Sequence, residues 1–313
     1  MHAERAMCYS AQIEAELRKL KRQEGATLDY EQAERLFHAR LSDPRIRIPR
    51  AFEANFDNPV TAQECRIREL IERYRGALET QLQQDLFRQS KRLADAQRSL
   101  QKRETRKARE DIRIATAKID ANRARLIRLR APDIDVEDAR IFPFWYAPVV
   151  IDRGGEKVLR LARYHLRPRN AAASIDRQFP GLYNARRDNL EKFWRNEFGH
   201  FHAVMYVASF FENVTRDDAN VVLHFNPRPA QIMRVACLYS ERIDADAGEL
   251  LTFAAVTDEP PPEIAAAGHD RCIVNLLPEN AERWLTPAGR SVRELQAILD
   301  EKQRPYYEHA IAA

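Results

Sequence analysis

The sequence predicts an α+β fold: a curved mixed β-sheet or open barrel with flanking helices, interrupted by a long helical-hairpin insertion. Two observations predict it. After Pro132, short β-type runs mix irregularly with short helical pieces, the texture of an α+β domain rather than of a doubly wound one. From Thr61 to Arg130 there is no proline and one glycine, Gly76, while apolar residues recur at helical spacing. The chain has 313 residues, 44% of them apolar and 31% charged, enough for about two average domains or one domain with a large insertion. The expected organisation is an N-terminal part over 1–60, a basic helical insertion over 61–131 and a main domain over 132–313.

Residues 10–41 read as two short amphipathic helices, with Leu17 and Leu20, then Ala33, Leu36 and Phe37, at three-to-four spacing. Ser42, Asp43, Pro44 and Pro49 break the pattern. In the insertion, Ile67, Leu70, Ile71, Tyr74, Leu78, Leu82 and Leu86 make one stripe, which Leu93 and Leu100 continue. After an almost wholly polar stretch the spacing resumes at Ile112, Ile119, Leu126 and Leu129. One unbroken helix of this length would run about 100 Å, and the next ~15 residues could return at most about 50 Å. A turn near 101–109 solves this. The expected strands of the main domain are Trp145–Ile151, Lys157–Leu166, Ala203–Phe211, Val221–Phe225, Ile232–Tyr239, Leu250–Thr257 and Cys272–Leu277. Helical pieces are expected at Arg187–Trp194, Pro262–Ala267, Glu279–Leu285 and Val292–Glu301. Gly, Pro and Asn mark the loops between them.

Composition excludes several classes. The longest nearly apolar run, Ile141–Ile151, has eleven residues and two prolines, whereas a bilayer-spanning helix needs roughly 20 apolar residues. The first 30 residues hold no apolar secretory core. The four cysteines, Cys8, Cys65, Cys237 and Cys272, form no CxxC pair, and free thiols fit a reducing cytosol. A cytoplasmic protein, nucleoid-associated when bound to DNA, and a monomer are expected. There is no Gly-rich phosphate loop, HExxH or GxSxG. His200 and His202 would share a face of an extended strand, but with no third ligand at suitable spacing no metal site follows, and no cofactor is expected.

Net charge is +4, and this hides an asymmetry. Residues 66–130 hold 19 Lys and Arg against 9 Asp and Glu, and the remainder holds 32 against 38. A basic block on a mildly acidic body points to a polyanion, nucleic acid first. A solvated Arg-rich helical face gives the same count.

Four local features carry chemistry. Met7 and Cys8 place a thiol near the N-terminus. Asn184, Ala185 and Arg186 follow Gly181, Leu182 and Tyr183. Glu212 ends the apolar run Val204–Phe211, where a carboxylate is costly to bury without a partner. His269, Asp270 and Arg271 follow a strand, three prolines and a short helix. Singly, each has a plain structural reading: a small buried hydrophobe, a turn, a strand end facing solvent, a helix cap behind Gly268.

Together and in this order, they resemble the SOS response-associated peptidase (SRAP) family of abasic-site processing proteins. Its hallmarks are an N-terminal Met-Cys, an Asn-Ala-Arg motif, a Phe/Tyr-Glu strand end and a His-Asp-Arg motif. They stand here as Met7-Cys8, Asn184-Ala185-Arg186, Phe211-Glu212 and His269-Asp270-Arg271. Trp145-Tyr146-Ala147-Pro148, Val256-Thr257 and Trp284-Leu285 agree in order. The resemblance covers residues 7–15 and about 140–287, not the insertion. Departures are Tyr9-Ser10 where the family has Gly-Arg, Asn213 where a tryptophan follows the glutamate, and His202 where a basic residue ten positions before it is arginine. Six residues also precede Met7 here.

The resemblance implies a protein that fixes abasic sites in single-stranded DNA as a covalent crosslink. The α-amine of an N-terminal cysteine, with pKa about 7.7–8.0, forms a Schiff base with the sugar aldehyde, and the thiol closes a thiazolidine. An internal Cys8 could not do this, so the functional chain is expected to start at Cys8. By the same resemblance Asn184 orients the reactants. Glu212 is the general acid/base, helped by a pKa raised among apolar neighbours, and His269 shuttles protons. Arg186 and Arg271 hold phosphates, Trp145 stacks on a base, and His202 and Thr257 complete the substrate-binding set. The rival reading is a thiol peptidase, acting at least on its own propeptide, with Cys8 as nucleophile and His269 as base. The insertion is expected to touch DNA or a repair or replication protein.

Overall fold

The computed structural model describes residues 10–216, 219–244 and 248–312. The strands in chain order are β1 (Ser10–Ile13), β2 (Thr27–Leu28), β3 (Arg140–Ile141), β4 (Tyr146–Arg153), β5 (Glu156–Tyr164), β6 (Asn184–Arg186), β7 (His202–Arg216), β8 (Ala219–Arg228), β9 (Met233–Asp244), β10 (Gly248–Asp258), β11 (Cys272–Ile273) and β12 (Tyr306–Ile311). The helices are α1 (Leu17–Glu24), α2 (Tyr30–Arg40), α3 (Arg50–Glu53), α4 (Ala62–Lys102), α5 (Arg106–Arg130), α6 (Ile175–Gln178), α7 (Pro262–Ala266), α8 (Pro278–Leu285) and α9 (Val292–Asp300). Among the described residues no helix is long and apolar enough to cross a membrane.

The sheet closes on itself. β4 pairs with β5, β5 with β10, β10 with β9, β9 with β7, and β7 again with β4. These five strands form a barrel, and the expectation of a curved or open sheet resolves into a closed ring with outer strands. β7 makes this possible through its length of 15 residues. Its first half pairs with β9 and β4, and its second half leaves the ring to pair with β1 and β8. Both faces of its first half are covered, so Ala203–Val207 is buried without alternation, as expected of a doubly covered strand. Trp284 of α8 closes the outside, its indole N–H donating to the Ala203 carbonyl (3.1 Å) and the Cys237 carbonyl (3.2 Å).

The N-terminal strand is held in the second half of β7. Ser10 lies opposite Phe211, and Ala11 opposite both Phe210 of β7 and Ile141 of β3. β1, β2, β3, β6 and β12 are absent from the sequence expectation, because two to six residues give too little alternation to see. The expected helix at Arg187–Trp194 is instead a 3-10 turn at Arg187–Asn189 followed by turns. The Arg187 side chain is drawn away to Asp258 (2.9 Å) and Asp300 (2.7 Å), so tertiary ion pairs fix this segment. The expected strand Cys272–Leu277 pairs as a ladder only over β11, then bridges β9 through Asn275 opposite Val235.

α4 and α5 form the hairpin, turning at Arg103–Thr105. Thr61 and Glu64 make a capping box at the start of α4, and the Thr105 hydroxyl accepts from Ala108 N at the start of α5. With 41 and 25 residues, the helices run about 60 and 37 Å. The excess of α4 belongs to the body, for Ile67, Leu70 and Ile71 are part of the main core. Beyond them the buried positions are Leu82, Gln89 and Ala96 on α4, and Ala108, Ala115, Ile119, Asn122 and Leu126 on α5. The recurrence of seven is that of a coiled coil. Asp85 fixes the register, accepting from Asn122 (2.8 Å) and Gln89 (3.2 Å). The Asn122, Gln89 and Arg88 hydrogen bonds hold its carboxyl down at about 2.

Candidate active site

Glu212 lies on β7 opposite Leu223 of β8, one residue beyond Phe211. It is fully buried. Its Oε2 stands 3.1 Å from Nε2 of the buried His269. The chain reaches this position through a tight turn after α7. Gly268 adopts φ +99°, a left-handed conformation natural to glycine, and faces Val214 two residues beyond Glu212. His269 N then donates to the Ile264 carbonyl at 3.2 Å.

The ring geometry of His269 constrains its proton. Nδ1 lies 2.9 Å from the Arg271 carbonyl and 3.3 Å from the Arg271 amide. With hydrogen on Nδ1 the ring donates to that carbonyl and presents Nε2 to the Glu212 carboxylate. The Cys272 thiol feels the carboxylate: burial, and after it the Glu212 charge, push its pKa up.

β10 pairs with the segments that carry the other motif residues. On one side it pairs in parallel with β6, Ala255 opposite Asn184 and Thr257 opposite Arg186. On the other it pairs with β11, which continues directly from His269, Thr257 opposite Ile273. Asn184, Arg186 and Thr257 therefore project from one face, since registered partners and alternate residues share a side. Asn184 and Thr257 are buried, and Thr257 Oγ1 has no hydrogen-bond partner among the described residues. Arg186 and Arg271 stand at the rim and share one carboxylate. Arg186 meets Asp188 at 2.6 Å, and Arg271 meets it at 3.6 Å. Hydrogen bonding from Arg186 holds the Asp188 carboxyl below its usual range. Asp270 also acts on Arg186, so the two guanidinium groups stand among two carboxylates.

Cys8 lies outside the described residues. The strand that follows it is anchored by groups that sequence reasoning missed. Arg140 Nε donates to Ser10 Oγ at 3.0 Å, and its guanidinium sits 3.6 Å from the Phe211 ring centroid. His224 also stacks on that ring at 4.2 Å. Asp188 and Arg140 belong to no motif, and no local pattern marks them.

Two further expected site residues have packing partners of their own. Trp145 is half-buried in the loop before β4, with Phe142 at 5.4 Å and Arg47 at 5.9 Å as ring neighbours. His202 corrects the substrate-binding expectation. It begins β7, ten residues from Glu212, about 33 Å along an extended strand. It is buried against Trp284, the ring centroids 3.8 Å apart. Its Nε2 accepts from Gly199 N (2.8 Å) and its Nδ1 donates to the Trp284 carbonyl (2.9 Å). Burial drives its pKa down to about 3. Both nitrogens are used and the ring is neutral, so it has nothing to offer a phosphate.

The fold is a closed barrel that carries a buried carboxylate–imidazole pair, Glu212 and His269. The model of the SOS response associated peptidase (SRAP) family matches residues 98–311, and the chain belongs to that family. The match begins inside α4 and so leaves out β1. No curated protein matches the chain. Among solved structures, the chain is similar to a Bacteroides thetaiotaomicron protein at 17% identity, covering 56% of this chain and 78% of that one, with a TM-score of 0.48. A Bordetella bronchiseptica protein matches at 16% identity over 58% and 90% of the two chains, TM-score 0.47. A phage-related protein of the same organism matches at 18% identity over 61% and 88%, TM-score 0.44.

Proposed function

We propose that the protein processes abasic sites in single-stranded DNA, forming a thiazolidine crosslink through Cys8 as the N-terminal residue. The observation that carries this reading is the buried Glu212–His269 pair, on the strand whose Phe211 lies opposite Ser10, two residues after Cys8. The chemistry needs one proton moved several times at one place. The Cys8 amine attacks the ring-opened aldehyde, and the resulting carbinolamine loses water to give an imine. That loss needs an acid. The thiol then adds to the imine carbon, its proton passing to nitrogen, and the five-membered ring closes. A proton shared between Glu212 and His269 serves both steps. Asn184 and the unpartnered Thr257 hydroxyl offer hydrogen bonds to the sugar, and Arg186 and Arg271 face the phosphates.

The experiment is covalent capture of an abasic single-stranded oligonucleotide by protein whose N-terminus is Cys8. Cys8→Ala abolishes the stable adduct. Cys8→Ser leaves a Schiff base that borohydride traps but no thiazolidine. A Cys8→Ala variant that crosslinks like wild type refutes the reading. The family description carries a second one, a thiol peptidase with Cys8 as nucleophile and His269 as base. Cys8-dependent cleavage of a peptide by a protein that captures no abasic DNA selects that reading.

A further inference from the structure

The hairpin arm poses a separate question, because its apolar seam is already satisfied. Ala96, Ala108 and Ala115 are buried between its own helices, and the large apolar side chains left exposed on the hairpin, Phe87 and Ile127, lie nearer the root than the tip. Its charge is not satisfied. Residues 91–118 hold ten Lys and Arg against four Asp and Glu. Each of the four carboxylates is taken: Asp95 by Arg98, Asp111 by Arg92, Glu104 by Arg109 and Glu110 by Arg113. Six cations are left over, Lys91, Lys102, Arg103, Arg106, Lys107 and Lys118. All are exposed, and none has an ion-pair partner among the described residues.

Nearer the body the pairing is mixed: Arg73, Arg123 and Arg125 are exposed with no ion pair among the described residues, whereas other arginines are taken. Arg66, Arg68, Arg75 and Arg128 are paired with Glu34, Asp57, Glu53 and Asp138, carboxylates supplied from outside the hairpin. The root also adjoins the N-terminal strand, since Asp138 precedes by two residues the Arg140 that bonds Ser10. From Arg128 to Arg106 the arm extends about 33 Å. That equals about ten nucleotides of stacked strand at 3.4 Å each.

We propose that the distal arm is a second, sequence-independent nucleic-acid contact, in which Lys102, Arg103, Arg106 and Lys107 grip the phosphate backbone about ten nucleotides from the arm's root. A protein partner would need an apolar centre at the interface, and residues 101–107 are wholly polar. A phosphate chain needs only unpaired cations. The inference rests on DNA being the ligand of this protein, but not on the crosslinking chemistry.

The test measures binding of undamaged single-stranded DNA by fluorescence anisotropy at several salt concentrations. The variant carries Lys102→Gln, Arg103→Gln, Arg106→Gln and Lys107→Gln, exposed changes whose folding is checked by circular dichroism. Each lost phosphate contact flattens the log–log salt slope by about 0.7, so four flatten it by about 3. Between 50 and 200 mM salt, wild type should then lose about fifty-fold more affinity than the variant. The difference should appear on strands of about 40 nucleotides and vanish on strands of about 8, too short to reach the tip. Equal slopes on the long strand overturn the proposal, as an acidic protein partner would require. An equal loss on both lengths also overturns it, because a short strand would then bind the tip alone and the tip would not be a second contact. Crosslinking is scored separately on gels, so failure of the chemistry and failure of the arm are told apart.

Discussion

His202→Phe tests whether the residue that starts β7 serves the fold rather than DNA. The folded state holds its pKa at about 3 against an ordinary 6.5, and burial is the main cause. The folded value is depressed, so between these limits the unfolded chain binds a proton that the folded chain refuses. Stability from this residue is therefore intact above about pH 6.5 and falls as pH drops towards 3. At up to about 1.4 kcal/mol per unit, the loss between pH 6.5 and 4.5 is about 2 kcal/mol. That is a large share of an ordinary 5–15 kcal/mol. Phenylalanine keeps the stack on Trp284 but leaves the Gly199 N–H and the Trp284 carbonyl without their partner. The variant is thus less stable at pH 7, each lost bond costing about 1–3 kcal/mol. Its stability profile should nonetheless be flatter on the acid side by roughly 2–3 kcal/mol over those two units. Urea unfolding at pH 7, 5.5 and 4.5 reads this directly, and other titrating groups cancel in the difference. Parallel profiles for the two proteins would refute the reasoning. A DNA salt slope that flattens in His202→Phe would restore the phosphate-contact role.

Glu212→Gln keeps the shape of the buried pair but removes its titrating oxygen, and crosslinking should slow by roughly 10²–10⁴-fold in single-turnover gels. Asn184→Ala should slow it too, by misplacing the sugar. Unchanged rates in both folded variants would mean that the buried cluster is structural. Ala115→Leu overfills the seam of the arm and should cost about 1–3 kcal/mol. Helical signal should melt at a lower temperature while the near-ultraviolet signal of the barrel tryptophans stays put. A single unshifted transition would show that the seam is looser than its burial implies.

The arm was legible in the sequence because a helix writes its pattern locally. A proline-free run with apolar residues every three to four positions, too long to return unless it turns, leaves few solutions. The longer strands were legible for the same reason. The polar members of the candidate site, Asn184, Glu212, Thr257 and His269, were marked by the order of their motifs, with Arg186 and Arg271 beside them. Their placement in the fold was not visible. Asn184 reaches its place through the three-residue β6, too short to carry a period, and only pairing with β10 holds it there. Asp188 and Arg140 have no local signature, because each matters through partners distant in the chain. His202 shows the opposite error. In sequence it occupies a position where a phosphate contact was expected, and the packing of α8 on the outside of the barrel buries it against Trp284. Local spacing determined which elements form. Ring closure through β7, a long-range pairing that no single segment encodes, decided which side chains meet.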